Sequence, residues 1–463
     1  MKKILPLILP LLLCACSSHF ESQTTFTENT DVFPNPGQGW ERCLEERDGL
    51  NNVNFGGGYL RFWWRDLEPE EGKYNWQPFE KAIERFAKQG LPFYARIMCI
   101  STSGYPQRWQ SPKWVFDKGA KYTETILEKP ANKKFPDGKV PVIVPDFSDP
   151  IFMQAHENFI KAFAARYDGD PRIGGIDLGS YGNWGEWHCW GLGLGDYGGH
   201  RAAHSEGIRR AWADIYLKNF KKTQIISMTD DAAILKYNIG DGAPRVGMRR
   251  DGVGSPSHFK TWIGSERYSK IPNMGEVWKY RPIVFESFQS VDKMKSWGWD
   301  ILFSLNWMLE NHVSIVNEGP FQPHQIKEGT PEAEALRNVD LYAGARLVPQ
   351  SANFVYRNGK LDVKIVGVNK GVAKIYLPYE FVYEVRGADG GLVAEKVSQK
   401  DPRSILTGEF EISDSFDVSL ENGKDYAISL RVRNIAKVLR DFRFAAKNLN
   451  SDGSLPLGKI SLK

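Results

Sequence analysis

Short apolar segments recur along the first 307 residues of the chain, and longer amphipathic stretches separate several of them. A short apolar run is typical of a buried strand, whereas apolar residues at intervals of three and four indicate a helix. In the stretch 79–87, for example, Phe79, Ile83 and Phe86 fall on one helical face. The eight apolar segments are 38–43, 57–64, 91–99, 173–180, 223–230, 244–251, 281–287 and 300–307.

Strands that alternate with helices pair in parallel, and eight such units close into a (β/α)8 barrel. The sequence therefore predicts an α/β fold with a (β/α)8 barrel over residues 32–342, which is close to the usual size. A long stretch rich in Pro, Lys and Gly, 101–147, separates the third and fourth segments. Long loops without regular structure are usually functional, and this one would follow strand three on the active-site face.

The pattern of apolar and turn residues changes after residue 342. Strand-like runs follow one another there, broken by Asn-Gly, Asp-Gly and Gly-Gly turns, and no helical pattern intervenes. This pattern predicts an all-β sandwich over residues 343–463. The sandwich carries no constellation of ionisable residues, so we expect it to act as a packing module or to contact carbohydrate.

The N-terminus has the features of a secretory signal peptide over residues 1–15. Lys2 and Lys3 precede an apolar run of about ten residues, too short for the roughly 20 that span a bilayer. The sequence Leu-Cys-Ala-Cys ending at Cys16 resembles a bacterial lipobox, which implies cleavage before Cys16 and its lipidation. Ser17 favours the outer membrane, facing the periplasm or the medium. The alternative is an ordinary signal peptide with incidental cysteines. The polar residues 16–31 are predicted to form a tether.

Composition narrows the possible partners. The net charge is only +4 and no run of five or six basic residues occurs, so nucleic acid is not expected. The 15 Trp, 18 Tyr and 26 Phe residues suit a core, but such rings also stack on sugars. Cys43, Cys99 and Cys189 remain after the leader; an odd number cannot all pair, and their spacing fits no metal motif. No metal or cofactor is expected.

Polar and aromatic residues follow the apolar segments, where the active site of such a barrel lies. A barrel needs branched apolar residues in its interior in order to fold, but it does not need these polar and aromatic groups at the strand ends. The candidate substrate-binding residues at the strand ends are Arg61, Arg96, Asn183, Trp184, Trp187, His188, Asp230, Arg249, Asp251, Asn306 and Trp307.

Two carboxylates stand out among the strand ends, Glu186 and Glu286. They are 100 residues apart, which is the length of about three βα units and suits strands four and seven. A pair of carboxyl groups about 5–5.5 Å apart is the requirement of retaining glycoside hydrolysis. The general acid must stay protonated near neutral pH, which an apolar setting favours, and Trp184 and Trp187 flank Glu186 in sequence.

Residues 59–97, with the stretch LEPEEGKYNW, resemble the second βα unit of the glycoside hydrolases whose catalytic glutamates end strands four and seven, many β-galactosidases among them. NPGQGW at 35–40 and DPRIGGIDLGSYGNWGEWH at 170–188 resemble a family of secreted bacterial barrel lipoproteins of unassigned function. The resemblance covers most of the mature chain and implies that Glu186 is the acid/base and Glu286 the nucleophile. One departure is Gly185, which stands where the 4/7 superfamily usually has Asn; Asn183 lies nearby.

Structural roles are open for each of these residues. Either glutamate can be held by an arginine, and Arg61, Arg96 and Arg249 can bind an anionic sugar or orient the glutamates. Strand-end aspartates often cap the next turn, and the tryptophans can pack in the core. The sequence thus favours a retaining glycoside hydrolase acting on an oligo- or polysaccharide. The alternatives are a non-catalytic carbohydrate-binding surface lipoprotein on the same barrel, or a surface scaffold protein without a deep pocket.

Overall fold

The computed structural model describes residues 19–43, 55–104, 106–194 and 204–462; the predicted signal peptide and Cys16 lie outside them. The first described segment forms strand β1 (His19–Thr25), which pairs antiparallel with residues 351–357 of the C-terminal domain. The prediction of a tether over 16–31 is therefore wrong for residues 19–25. Alternate side chains of this polar segment are half-buried, which is enough for a strand at the edge of a sheet.

The central part of the chain forms a closed barrel of eight parallel strands, which confirms the predicted fold. The strands of this part are, in chain order, β2 (Gly39–Cys43), β3 (Phe55–Trp63), β4 (Phe93–Met98), β5 (Tyr122–Glu128), β6 (Lys139–Pro145), β7 (Ile173–Leu178), β8 (Ile225–Met228), β9 (Gly247–Val253), β10 (Ile283–Ser287) and β11 (Ile315–Asn317). Strands β5 and β6 form a separate antiparallel hairpin. The other eight are neighbours in chain order, and β11 pairs back onto β2 to close the barrel.

Helices cover the outside of the barrel. They are α1 (Trp64–Leu67), α2 (Gln77–Ala87), α3 (Lys113–Asp117), α4 (Pro150–Tyr167), α5 (Glu206–Asn219), α6 (Ala232–Ile239), α7 (Val291–Ser296), α8 (Ile301–Glu310) and α9 (Pro331–Tyr342). Their apolar faces pack on the strands, so the main core is a ring between the strands and the helices. None of the described helices combines the length and apolar character needed to cross a bilayer.

The eighth strand is β11 and not the predicted segment 300–307, which forms most of helix α8. Asp300 caps this helix by accepting a hydrogen bond from the Phe303 amide at 2.8 Å. Ile301, Leu305 and Met308 are buried at helical spacing. A short apolar run does not by itself distinguish a strand from a buried helix, and here the N-cap decides.

The two site residues predicted on that segment are therefore misplaced. Asn306 is exposed on the outer surface of α8. Trp307 packs against the rings of Phe259, Trp262 and Phe285 at centroid distances of 4.9–5.6 Å. Neither residue follows a barrel strand, so the structure removes the reason for which they were predicted to contact substrate.

The long stretch 101–147 contains regular structure, α3 and the β5–β6 hairpin, rather than being an open loop. The hairpin contacts the loop that follows β7: Thr125 donates a hydrogen bond to the Leu192 carbonyl at 2.9 Å. Lys129, just past β5, donates to the Thr102 carbonyl at 2.8 Å. The insertion therefore supports the segment that carries Glu186.

The C-terminal domain is a sandwich of two antiparallel four-stranded sheets, as predicted. Its strands are β12 (Leu347–Arg357), β13 (Lys360–Asn369), β14 (Tyr379–Gly387), β15 (Leu392–Val397), β16 (Gly408–Asp417), β17 (Asp425–Asn434) and β18 (Leu455–Ser461). One sheet has the order β1-β12-β13-β16 and the other β15-β14-β17-β18. The side chains between the sheets, such as Phe354, Ile365, Phe381 and Leu430, are apolar and almost fully buried.

Candidate active site

Charged side chains from six barrel strands meet in the barrel at the ends where the strands finish. Successive residues of a strand point to opposite faces, so residues two apart enter the same space. On β3 these are Tyr59 and Arg61, and on β9 they are Arg249 and Asp251. The remaining members are Glu41 on β2, Arg96 on β4, Asp177 on β7 and Glu286 on β10.

Glu286 lies between two arginines. Nη2 of Arg61 donates to both of its carboxylate oxygens, at 2.9 and 2.8 Å, and Nη2 of Arg249 also donates to Oε2. Its side chain is 14% exposed. Burial raises the pKa of Glu286 above its ordinary value; Arg61 and Arg249 oppose that shift, and the charge of Asp251 adds to it.

Glu186 lies in the loop that follows β7 and faces the same space. Nη1 of Arg96 donates to its Oε1 at 3.0 Å, and Nη2 of Arg61 is 3.6 Å from the same oxygen. His188 Nε2 is 3.5 Å from the other oxygen. Nitrogen atoms of Arg96, Arg61 and His188 thus lie close to this carboxylate, so its setting is more polar than the flanking tryptophans suggested.

One atom, Nη2 of Arg61, lies close to both glutamates. Nη2 of Arg61 is 3.6 Å from an oxygen of Glu186 and 2.8 Å from an oxygen of Glu286. Those two oxygens are therefore no farther apart than the sum of these distances, 6.4 Å. We call the open end of the barrel, where the strands finish, the mouth. Of its three arginines Arg61 is the most accessible, with 26% of its side chain exposed against 0% for Arg96 and 1% for Arg249.

A buried network of ion pairs adjoins the two glutamates. Asp251 accepts from Arg96 at 2.9 Å and from Arg249 at 2.6 Å. Asp177 accepts from Arg96 and from the Tyr59 hydroxyl, at 2.9 and 2.8 Å. Burial alone would raise the pKa of Asp251, but the arginine charges hold it well below its ordinary value.

Three of these groups, Tyr59, Asp177 and Glu41, were not among the predicted site residues. All three lie inside strands: Glu41, Tyr59 and Asp177 are two, four and one residues before the ends of β2, β3 and β7. A signal was present, since Tyr59 precedes Arg61 by two positions and therefore shares its face. Among the described residues, neither carboxylate oxygen of the fully buried Glu41 has a hydrogen-bond partner. Burial raises its pKa well above the ordinary value.

The loop carrying Glu186 is held in an unusual backbone conformation. Ser180, Trp184 and Trp187 all have positive φ, at 74°, 57° and 64°. Such a conformation costs on the order of 1–3 kcal/mol for a residue other than glycine, and it is concentrated at functional sites. Gly185 has φ 71°, and a Cβ there would lie 2.9 Å from the Ser180 amide nitrogen. The departure from Asn at this position therefore has a steric cause.

Asn183 does not replace the missing asparagine. Its side-chain oxygen accepts from the Thr102 amide at 3.0 Å, and its amide donates to the Thr102 hydroxyl and to the Trp190 carbonyl at 2.8 and 3.1 Å. The residue is fully buried. The structure instead uses both ends of the Asn183 side-chain amide to hold the loop and leaves that side chain inaccessible.

The tryptophans of the loop also differ from the prediction. Trp187 is 1% exposed and donates to the Leu178 carbonyl at 2.6 Å, so it belongs to the core and offers no stacking surface. Trp184 is half-buried, and its indole donates to the Ser103 hydroxyl at 2.8 Å. Of the three predicted stacking residues, only Trp184 lies beside the mouth with part of its ring accessible.

His188 and Asp230 complete the rim. Burial alone would lower the pKa of His188, but its contact with Glu186 and the charge of Asp230 raise it above the ordinary value. Asp230 pairs with Arg250 at 2.7 Å. The helix-capping role considered for the strand-end aspartates falls to Asp231, which accepts from two amides at the start of α6.

Cys99 and Cys189 are both buried thiols and are not joined by a disulfide. Within the described ranges, His, Cys, Asp and Glu side chains form no group of three or more arranged to hold a metal ion.

Comparison with known proteins adds a partial family match. The model of glycoside hydrolase family 42, described as β-galactosidase, matches residues 44–182. This range includes strands β3, β4 and β7, with Arg61, Arg96 and Asp177, and it ends four residues before Glu186. Comparison with curated proteins gives no match.

Comparison with solved structures gives matches of low sequence identity and low TM-score. Endo-glycoceramidase II from Rhodococcus sp. is 10% identical, with a TM-score of 0.40 over 86% of this chain and 100% of that chain. Xylanase 10B from Thermotoga petrophila RKU-1 is 13% identical, with a TM-score of 0.37 over 67% and 94%. The catalytic domain of the major endoglucanase from Xanthomonas campestris pv. campestris is 12% identical, with a TM-score of 0.36 over 68% and 99%. By its closed parallel barrel and its family match, the protein has a barrel similar to those of glycoside hydrolases.

Proposed function

We propose that the protein is a retaining glycoside hydrolase in which Glu286 is the nucleophile and Glu186 the general acid/base. The observation that carries the proposal is the meeting of both carboxylates on Nη2 of Arg61, which limits their nearest oxygens to a separation of 6.4 Å. Retaining enzymes need carboxyl groups about 5–5.5 Å apart, and inverting enzymes about 6.5–9.5 Å. A separation of at most 6.4 Å between the nearest oxygens is compatible with the retaining geometry.

In this mechanism a Glu286 oxygen attacks the anomeric carbon while Glu186 donates its proton to the departing glycosidic oxygen. Water then attacks the glycosyl ester, and Glu186 takes a proton from it, which restores both groups. A nucleophile must be ionised, and burial of Glu286 works against ionisation. Arg61 and Arg249 supply the opposing charge, so they are proposed to keep Glu286 ionised and oriented.

Arg61 must shift when substrate binds, because its Nη2 occupies the space between the two carboxylates that the reacting atoms need. Its greater exposure than Arg96 and Arg249 supports this assignment of the movable group. A small displacement toward the open mouth retains its charge beside Glu286.

The position of Arg61 also favours a second candidate function. In a carbohydrate-binding protein without chemistry, the arginine would neutralise both carboxylates permanently, and the ion pairs of the mouth would only shape a binding surface. The two candidates differ in one measurable property, which is turnover.

The experiment is hydrolysis of a panel of aryl glycosides and of host and plant glycans by wild type, Glu186→Gln and Glu286→Gln. The control is Glu380→Gln, which removes a carboxylate held by Arg433 at 2.8 Å on the sandwich. Loss of the acid/base should lower kcat by about 10²–10⁴-fold, and loss of the nucleophile by at least as much. The control should match wild type. Unchanged turnover in both mouth variants contradicts the assignment, and glycan binding without cleavage favours the second candidate.

For location, we propose a lipoprotein of the bacterial outer membrane anchored through Cys16, on the basis of the lipobox-like sequence ending there. Growth with labelled palmitate should label the wild-type protein and leave Cys16→Ser unlabelled. Label on neither protein contradicts the proposal, and protease treatment of intact cells distinguishes the cell surface from the periplasm.

A further inference from the structure

An exposed aromatic cluster lies beside the mouth, and none of its members was predicted to bind substrate. Phe288 follows β10 directly and is 41% exposed, and Trp297, past the end of α7, is 43% exposed. Trp299 is half-buried behind them. The ring centroids of the three residues are 4.9–6.1 Å apart. We call Phe288, Trp297 and Trp299 the aromatic platform.

The platform is continuous with the candidate active site. Phe288 lies two residues after Glu286, and two residues of extended chain span roughly 7 Å. The Phe288 amide donates to the Val253 carbonyl at 2.9 Å, which fixes its backbone against the end of β9. The ring of His258 lies 5.4 Å from the Phe288 ring, and its Nδ1 is 3.0 Å from the Gly252 carbonyl oxygen near the end of β9. A ligand extending from Glu286 on this side of the mouth meets the platform next.

The size and setting of the platform fit a sugar ring. Two partly exposed rings offer far less than the roughly 800 Å² that each partner of a stable protein interface buries. The apolar faces of the rings can stack on the apolar face of a pyranose. Tryptophan is common at surfaces where one side is apolar and the other is in contact with water. Lys293 Nζ, 5.2 Å from the Trp297 ring centre, provides a polar group at the edge for sugar hydroxyls.

We propose that the aromatic platform binds a sugar unit of the substrate beyond the one held at Glu286, and that the ligand class is therefore an oligo- or polysaccharide and not a monoglycoside. The inference rests on the proposed function for the position of the cleaved bond. Its binding test, however, requires no turnover.

The test measures binding of hexasaccharides of β-glucan, xylan, mannan and galactan by intrinsic tryptophan fluorescence and calorimetry. Glu186→Gln is the background, so that cleavage does not interfere. Trp297→Ala and Phe288→Ala are compared with Tyr280→Ala, which removes a ring that is 48% exposed just before the opposite end of the same strand β10.

For a hexasaccharide that binds, each platform substitution should raise Kd at least tenfold, whereas Tyr280→Ala should leave it unchanged. With wild-type catalysis restored, the platform variants should lose kcat/KM on that hexasaccharide and keep it on the matching aryl monoglycoside. Equal Kd in all variants, or no binding by any hexasaccharide, overturns the platform. Binding that depends on the platform without hydrolysis by wild type retains the platform and rejects the hydrolase.

Discussion

The barrel and the C-terminal sandwich each enclose a space between strands, and they fill it with different side chains. Between the two sheets of the sandwich the side chains are apolar, and Arg431 and Arg433 make their ion pairs on the outer face. Inside the barrel, Tyr59, Tyr94, Ile226, Val284 and Ile315 form a small separate apolar cluster. Above it lie the arginines and carboxylates of the mouth.

The difference indicates which part of the barrel stabilises the fold and which part is available for a functional site. Buried ion pairs add little stability relative to apolar packing, yet breaking one is costly because a buried charge is left uncompensated. The apolar ring between strands and helices carries the packing instead. The interior of the barrel is therefore available for a charged site, whereas that of the sandwich serves packing.

The sharpest test of this comparison pairs Arg96 of the barrel with Arg431 of the sandwich, since each contacts three carboxylates. Arg96→Met leaves buried Asp177 and Asp251 without that cation and should cost about 3–5 kcal/mol of unfolding free energy. Arg431→Met should cost less, because Glu384 keeps its ion pair with Arg386 at 2.9 Å. Its other two partners, Asp441 and Asp452, are 30% and 42% exposed and can be solvated. Urea unfolding of the full chain measures both, and equal costs would break the comparison.

A smaller effect is expected from the matched tyrosines Tyr59 and Tyr383, each of which donates to an aspartate. Tyr59→Phe removes a donor from fully buried Asp177 and should cost about 1–3 kcal/mol. Tyr383→Phe should cost only about 0.5–1 kcal/mol, because Asp414 keeps its bonds from Ser398 and the Gln399 amide. The same unfolding assay measures both, and a larger loss for Tyr383→Phe would contradict the account.

Glu41→Gln should change the free energy of unfolding least of the three at low pH, and its effect should grow as the pH rises. Burial raises the folded-state pKa of Glu41 above its ordinary value of 4.5, so its neutral form fits the barrel. The contribution of that proton to the free energy of unfolding is fully present below pH 4.5, and it is lost as the pH rises toward the folded-state pKa. Gln has no proton to lose, so the variant should gain unfolding free energy relative to wild type between pH 5 and 8. A difference that stays flat or falls over this range would contradict a neutral Glu41.

Much of the fold was predictable from local pattern. Seven of the eight predicted barrel segments coincide with strands because buried parallel strands are continuous apolar runs. The eighth failed because a short apolar run suits a buried helix equally well, and strand β1 was missed because an edge strand needs little apolar character.

The candidate site was predictable for residues near the ends of predicted strands, such as Arg61, Asp251 and Glu286. It was not predictable where burial depends on the path of a loop. Trp187 and Asn183 are buried because positive φ angles and long-range bonds to Thr102 fold the loop back on itself. No pattern in one sequence records those contacts.

The most direct test of the central claim is the site of covalent labelling by a panel of activated 2-deoxy-2-fluoroglycosides, which slow hydrolysis of a glycosyl-enzyme intermediate. After incubation, intact mass and peptide mapping of wild type should show one glycosyl unit on the peptide that contains Glu286, and Glu286→Gln should show none. Label on a different carboxylate, or hydrolysis of a natural glycan by an enzyme that no member of the panel labels, would contradict Glu286 as the nucleophile.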